Sequence, residues 1–348
     1  MSALAPVKAR ATAPGKKGGA TRGNARPLPR LRGRMLPLAV TVSLFVLMAT
    51  LGSVVYPGFF SLQVFLNLLI DNAFLCVVAV GMTFVILSGG IDLSVGSVIA
   101  LTTMVSAALV EKHGWSPLQV IPLVLVMGTV FGAFMGFLIE RFRLQPFIVT
   151  LAGMFLARGL CYVISIDSIS ITNDTYSELS QLRLPVWGGA SISLSAVIAL
   201  VVVAVGVYVA HWTPFGRAVY AVGGNEQSAL LMGLPVRSTI IGVYTLSGFC
   251  SALAGVLFTF YMLSGYGLHA LGLELDAIAA VVIGGTLLTG GVGYVVGTLF
   301  GVMMLGIIQT LIAFDGTLSS WWTRIVVGAL LFVFCLLQRL LGTRVETR

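Results

Sequence analysis

The sequence predicts an all-α polytopic membrane protein of about ten transmembrane helices, in two related halves with Gly-interrupted helices. Three observations lead there. Of the 348 residues, 58% are hydrophobic and only 9% charged, against about 25% charged in a soluble domain, so a globular surface cannot be covered. Uninterrupted apolar runs such as 118–139 and 192–210 approach the roughly 20 helical residues that cross a bilayer, and lipid forces such runs to satisfy their backbone internally. A short glycine-centred motif occurs twice, once in each half.

Residues 1–34 read as a disordered, basic, cytoplasmic tail. They hold nine of the 20 basic residues and no acid, and are rich in Pro, Gly and Ala, so they cannot bury a core. A basic stretch this long reads against a signal peptide and suits an anchor on anionic lipid better than a nucleic-acid arm. The transmembrane domain follows over 35–341 and a short cytoplasmic tail over 342–348. Hydropathy breaks place spans at 36–56, 66–87, 94–110, 118–139, 147–166, 192–210, 239–262, 275–289, 294–313 and 321–338.

Orientation follows from basic residues. With the N-terminus in the cytoplasm, Arg141, Arg143, Arg217, Arg237, Arg339, Arg344 and Arg348 fall inside, and only Lys112, Arg183 and Arg324 fall outside. Both termini are then expected in the cytoplasm of a multi-pass membrane protein. Two long connections remain: residues 167–191 outside, and residues 212–237 inside.

The repeat sets "LSGGIDLSVGSVIA" (from Leu87) beside "LTGGVGYVVGTLFG" (from Leu288). Ser88, Gly89 and Gly90 align with Thr289, Gly290 and Gly291 at an offset of 201 residues. The shared pattern is Ser/Thr-Gly-Gly-Ile/Val-x-x-x-Val-Gly-Ser/Thr. Glycine pairs break helices, and a break exposes polar backbone that lipid excludes but a polar cavity tolerates. Paired interrupted spans are the sequence mark of a transport pathway built from repeats. Ser88, Gly89, Gly90, Asp92, Asp276, Thr289, Gly290 and Gly291 are therefore the expected translocation-pathway residues. Asp92 is an ionisable group at membrane depth; it caps a helix starting near Leu93 or shapes the pathway by its charge. Glu274 and Asp276 pose the same alternative for the eighth span. Arg158 snorkels or pairs with a carboxylate. The rows of glycine at Gly128, Gly132 and Gly136 read as close helix packing.

In the inner connection, Asn225 precedes residues of good helix propensity, with Gly233 as a stop and Pro235 beyond it. This predicts a short helix over 225–232 whose Ala229, Leu230 and Met232 need a partner's groove. No Gly-x-x-x-x-Gly-Lys-Ser/Thr phosphate loop occurs, the three histidines are dispersed, and no nucleophile–base arrangement or metal spacing can be read. No catalytic residue, metal or cofactor is expected, so the chain is not read as an enzyme. Cys76, Cys161, Cys250 and Cys335 each lie in an apolar run and read as buried hydrophobes.

Three segments, "VGMTFVILSGGIDLSVGSVIAL", "FGRAVYAVGGNEQSALLMGLPV" and "ELDAIAAVVIGGTLLTGGVG", resemble the permease subunits of bacterial ABC sugar importers of the ribose/galactoside type. Further segments, among them "LVMGTVFGAFMG" and "FDGTLSSWWT", resemble a galactofuranose importer permease subunit. The likeness runs from Met35 to Leu341 and leaves out the basic tail. It implies a cytoplasmic ATP-binding subunit, a second permease subunit in a heterodimer, a periplasmic sugar-binding protein, and ATP hydrolysis on the partner chain. It also implies that Gly224, Asn225, Glu226, Ala229 and Gly233 form the ATPase-coupling loop. The rival expectation is a secondary transporter with an ion or proton site at Asp92 or Asp276; a purely structural scaffold is disfavoured by the paired breaks.

Overall fold

The computed structural model describes residues 36–316 and 321–346; the basic tail lies outside the described residues. Among these, fourteen α-helices dominate. Helix α1 spans Leu36–Val55. Helices α2 (Leu62–Asp71) and α3 (Ala73–Leu87) follow one another across a 61° bend. Helix α4 (Val95–Ala107) continues into a π-helical turn, Ala108–Lys112, and α5 (Pro117–Phe142) and α6 (Pro146–Ile164) follow. Strand β1 (Ile169–Ser170), α7 (Asp174–Gln181), β2 (Arg183–Pro185) and β3 (Ser191–Ser193) fold the long connection. Then come α8 (Leu194–Trp212), the short α9 (Pro214–Gly224) and α10 (Glu226–Leu231), α11 (Val236–Met262), β4 (Ser264–Gly265), α12 (Leu273–Ile283), α13 (Val295–Asp315) and α14 (Trp321–Glu346).

Local chemistry sets the helix ends. Ser61, Ser193, Thr213 and Asn225 each accept a backbone N–H in the first turn of α2, α8, α9 and α10, a contribution of about 1 kcal/mol apiece. Pro117, Pro146 and Pro214 open α5, α6 and α9, where the missing N–H costs nothing. Gly233 and Gly316, at positive φ, follow α10 and α13.

Among the described residues, seven helices are long and apolar enough to cross a membrane, eight with the bent α2–α3 pair counted as one span. Two expected spans differ from their reading. The second starts at Leu62 rather than 66 and bends at Asn72, whose buried amide donates to the Leu68 carbonyl (3.0 Å). The eighth is only eleven residues long, about 16 Å of helix against a hydrocarbon core of about 30 Å. It stops at Gly284 rather than 289, because Gly284 is pressed against the backbone of Gly297. The apolar part of α14, Trp321–Phe334, is also shorter than a full span. That helix runs on through 342–346, where a tail was expected.

Helix α11 is the central pillar, packed on α3, α4 and α5. The glycine row of α5 lets the two backbones touch: a Cβ on Gly132 would stand 2.2 Å from the Tyr244 carbonyl oxygen. Helix packing therefore accounts for that row, as its spacing indicated. At the end of the bundle away from α9 and α10, β1 pairs antiparallel with β4, with Ile169 opposite Gly265, and β2 pairs with β3. Tyr176 of α7 is buried against Phe260 (5.5 Å between rings). The 165–193 connection is thus a folded cap rather than a loose loop.

Candidate functional site: two glycine breaks and a hairpin

The site is built where α3 stops. Ser88 turns its hydroxyl back to the Val85 carbonyl (2.8 Å), and Gly90 N–H donates to the same carbonyl (3.0 Å). Gly89 supplies φ +84°, a conformation closed to most side chains. The chain then runs without regular structure to Ser94, the N-cap of α4. Asp92 is buried. Its Oδ1 accepts from Ser94 N (2.9 Å) and Ser94 Oγ (2.6 Å), and its Oδ2 from Ser247 Oγ of α11 (2.7 Å). The expected cap is corrected here: α4 begins at Val95, and Asp92 accepts from the cap residue itself in an Asx turn. The same carboxylate ties the break to α11. Three donors on one carboxylate are what holds such a group at this depth.

The second break, 284–294, is longer. The Thr41 hydroxyl of α1 donates to the Ile283 carbonyl that the break leaves free, Leu287 N–H donates to the Val292 carbonyl (2.9 Å), and Gly290 and Gly291 both take positive φ. The two breaks meet. Gly291 N–H donates to the Leu87 carbonyl (2.9 Å), and Thr83 of α3 hydrogen-bonds Thr298 of α13 (2.7 Å). The end of α9 lies across the junction. A Cβ on Gly223 would fall 1.7 Å from Leu87 O and 2.7 Å from Gly291 N, so only a hydrogen fits there.

Helix α10 hangs from that junction. Asn225 Oδ1 accepts Ser228 N–H (2.7 Å), and Gly233 ends the turn at φ +76°. Glu226 pairs with Arg143 at the end of α5 (2.7 Å). Ala229 differs from expectation: it is fully buried, packed with Val222 and Val236 inside the hairpin. The hairpin needs this small apolar contact to hold α10 against α9 and α11. The residues that protrude are Leu230, Leu231 and Met232, with Leu231 89% exposed. Beside them a cavity of about 250 Å³ is lined by Ser88, Gly90, Glu140, Arg143, Glu226 and Tyr244. Gly224 closes α9 next to the junction.

Seven of the eight expected pathway residues are thus gathered at one place: Ser88, Gly89, Gly90, Asp92, Thr289, Gly290 and Gly291. Asp276 is not among them. It lies on α12 near the opposite end of the bundle, paired with Arg324 of α14 (2.7 Å). Glu274, in the first turn of α12, is buried against Gly96 with its Oε2 unpartnered among the described residues. Arg158 donates to the carbonyls of Gly267 and His269 (both 2.6 Å); among the described residues it makes no salt bridge, though the Glu274 carboxylate is near enough to act on its charge. Among the described residues, no group of His, Cys, Asp and Glu comes together as a metal site. Cys76, Cys161 and Cys250 are buried and unpaired; the Cys335 side chain lies outside the described residues. Sequence reading missed Gly223, Tyr244 and Ser247. Gly223 stood next to Gly224 in the same quoted segment, whereas Ser247 and Tyr244 carry no local signal.

A family model described as branched-chain amino acid transport system / permease component matches residues 64–335. The inner membrane ABC transporter permease protein YjfF of Escherichia coli K12 is 55% identical over 315 residues, covering 90% of this chain and 95% of that protein. The fructose import permease protein FruG of Bifidobacterium longum is 40% identical, covering 89% and 92%. The ribose import permease protein RbsC of Haemophilus influenzae is 39% identical, covering 87% and 93%. No solved structure matches the chain. The matched residues run through both glycine breaks and the hairpin beneath them, and the chain belongs to this family of ABC transporter permease components, the one that includes ribose and fructose import permeases, as a membrane transport component and not an enzyme.

Proposed function

We propose that the chain is the translocating permease subunit of an ATP-driven sugar importer of the bacterial inner membrane, and that the junction of the two glycine breaks is its gate. The observation that carries this reading is the crossing of Leu87, Gly223 and Gly291, because it joins the pathway to the hairpin that offers Leu230, Leu231 and Met232 to a partner. In this reading α9 and α10 lie in the cytoplasm, as do both termini, and the chain enters the membrane ten times in two related halves. Two of those ten are the short helices α12 and α14. Gly224, Asn225, Glu226, Ala229 and Gly233 shape the coupling hairpin: Asn225 and Gly233 bound α10, and Ala229 locks it. An ATP-binding subunit docks on the protruding side chains. A periplasmic sugar-binding protein delivers substrate to the folded cap, and a second, different permease chain completes the pathway. Residues 1–34 hold to anionic lipid. The sugar proposed is galactofuranose, which the likeness of sequence supports.

The geometry disfavours an ion-coupled transporter. Both oxygens of Asp92 are taken by serine donors, and the charge of Asp276 is matched by Arg324 at 2.7 Å, so neither offers an uncompensated carboxylate to a cation. The test is uptake into proteoliposomes holding this chain, its partner permease and the ATP-binding subunit, with loaded binding protein outside. Uptake that needs ATP and the ATP-binding subunit but no ion gradient supports the proposal. Uptake driven by a proton or sodium gradient without ATP overturns it.

A further inference from the structure

Asp276 and Arg324 do more than pair. They line a cavity of about 610 Å³ between α12, α13 and α14, together with the polar Gln309 and Thr323, the Trp321 ring, and the apolar Leu305, Ile312 and Val327. The cavity lies at the end of the bundle away from α9 and α10, at the start of α12 and the end of α13. Gln309 sits six residues before the end of α13, about 9 Å along the helix, and its side chain is exposed. Asp276 and Arg324, each in the first turn of its helix, meet their charges in one another (2.7 Å), while the Gln309 amide, about a turn and a half further in, is costly against lipid and favours a polar surrounding.

A second recess in the same molecule shows the contrast. The groove of about 380 Å³ among α3, α8 and α11 is lined by Val80, Phe84, Val201, Val205, Leu246 and Leu253, and no polar side chain reaches it. That lining suits acyl chains. The α12–α14 cavity has the opposite character: acceptor, fork-shaped donor, amide and a Trp321 ring, 76% exposed, around an apolar floor. A sugar matches this set. Its hydroxyls pair bidentately with carboxylate, guanidinium and amide, and its C–H face lies on an aromatic ring or aliphatic wall. The volume falls within the roughly 300–1,000 Å³ of small-molecule sites.

We infer that this cavity is a sugar-binding vestibule within the permease, where Asp276, Gln309, Arg324 and Trp321 hold the released monosaccharide before it reaches the glycine junction. The inference rests on the sugar-import reading above and adds a second station to it, on the face proposed as periplasmic. Gln309 and Trp321 are the specificity residues, since Asp276 and Arg324 already bond each other (2.7 Å).

The experiment uses the complete reconstituted transporter with D-ribose, D-fructose and D-galactofuranose as probes, measuring initial uptake, ATP hydrolysis and half-saturation by loaded binding protein. Gln309→Leu is expected to lower the maximal uptake rate about tenfold, because hydroxyls lose their partner in a site built to bond them. ATP hydrolysis and half-saturation by the binding protein stay unchanged. Gln309→Asn is expected to change the ratio of rates between two of the sugars, which a purely structural amide would not do. Trp321→Ala is expected to lower the maximal uptake rate, and Trp321→Phe, which keeps a smaller ring, to fall between it and the parent. Normal uptake and unchanged sugar preference in Gln309→Leu, Gln309→Asn and Trp321→Ala would overturn the vestibule while leaving import intact. Should Gln309→Leu fail to accumulate, the sugar ratio in Gln309→Asn decides. Failure of the unaltered transporter to take up any of the three sugars would remove the import reading itself.

Discussion

Replacing Gly223 with Ala tests the junction by one methyl group. The added carbon would sit 1.7 Å from Leu87 O and 2.7 Å from Gly291 N, both backbone atoms, with no flexible side chain to swing away. An ordinary C···O contact is about 3.3 Å, so Leu87 O must retreat by about 1.6 Å. The Gly291–Leu87 hydrogen bond, 2.9 Å long, then opens beyond the roughly 3.2 Å at which such bonds hold. Stranding the buried donor costs about 1–3 kcal/mol, and forcing a methylene into packed backbone about 1–3 kcal/mol more. A bias of about 2 kcal/mol, at the low end, already shifts a two-state gate about 30-fold. We expect Gly223→Ala to reach near-normal chain levels, to keep hydrolysing ATP with its partners, and to lose at least about tenfold in uptake per ATP. Gly224→Ala is the comparison: nothing lies within 4 Å of the Cβ it would gain, so the Gly291–Leu87 hydrogen bond is undisturbed and uptake per ATP should exceed that of Gly223→Ala. Coupling in Gly223→Ala equal to that of Gly224→Ala would refute the reasoning.

Three more outcomes follow from the same contacts. A Cβ on Gly90 would stand 2.3 Å from the Tyr244 hydroxyl oxygen and 3.4 Å from Cζ behind it, so Gly90→Ala should cut uptake and Tyr244→Phe should restore it in the double variant; Tyr244→Phe alone should leave thermal stability in detergent unchanged or raised, since that buried hydroxyl has no partner among the described residues. Asp92→Asn keeps an acceptor for Ser94 and offers Ser247 a donor, so melting temperature and uptake should stay close to the parent. Asp92→Leu strands three buried donors at about 1–3 kcal/mol each and should not accumulate as folded chain; an Asn variant as damaged as Leu would show that the charge itself is needed. On the hairpin, Leu231→Asp alters an exposed side chain and should reduce co-purification of the ATP-binding subunit at unchanged permease yield, whereas Ala229→Asp, buried in the hairpin, should lower the yield itself. Full co-purification with Leu231→Asp would take the docking role from that surface.

Much of this protein was legible in one dimension because lipid imposes local rules. Apolar length marks a span wherever the chain must satisfy its own backbone, and a paired Ser/Thr-Gly-Gly marks the two places where it does not. The cap at Asn225 and the stop at Gly233 are likewise written within a few residues, since a helix end is satisfied by its neighbours in sequence. Partners across the fold are not written that way. Asp92 could have capped its own helix; that Ser247, 155 residues away, holds its second oxygen depends on where α11 stands. Asp276 carries the same charge and a similar setting near a glycine-rich break, yet packing sends it to the other end of the bundle beside Arg324. Ala229 has the composition of a docking surface and is the hairpin's own core. Gly223 and Gly224 are indistinguishable as letters, but one is pressed on two backbones and the other faces open space. Which segments are apolar enough to span, and where two of them meet a glycine pair, could be read in one dimension, because those depend on transfer energy and local backbone freedom; the bend at Asn72 and the early stop of α12 could not. Which broken ends touch, which glycine is the contact and which carboxylate lines a cavity are set by packing, because those depend on distances between segments that no local pattern encodes.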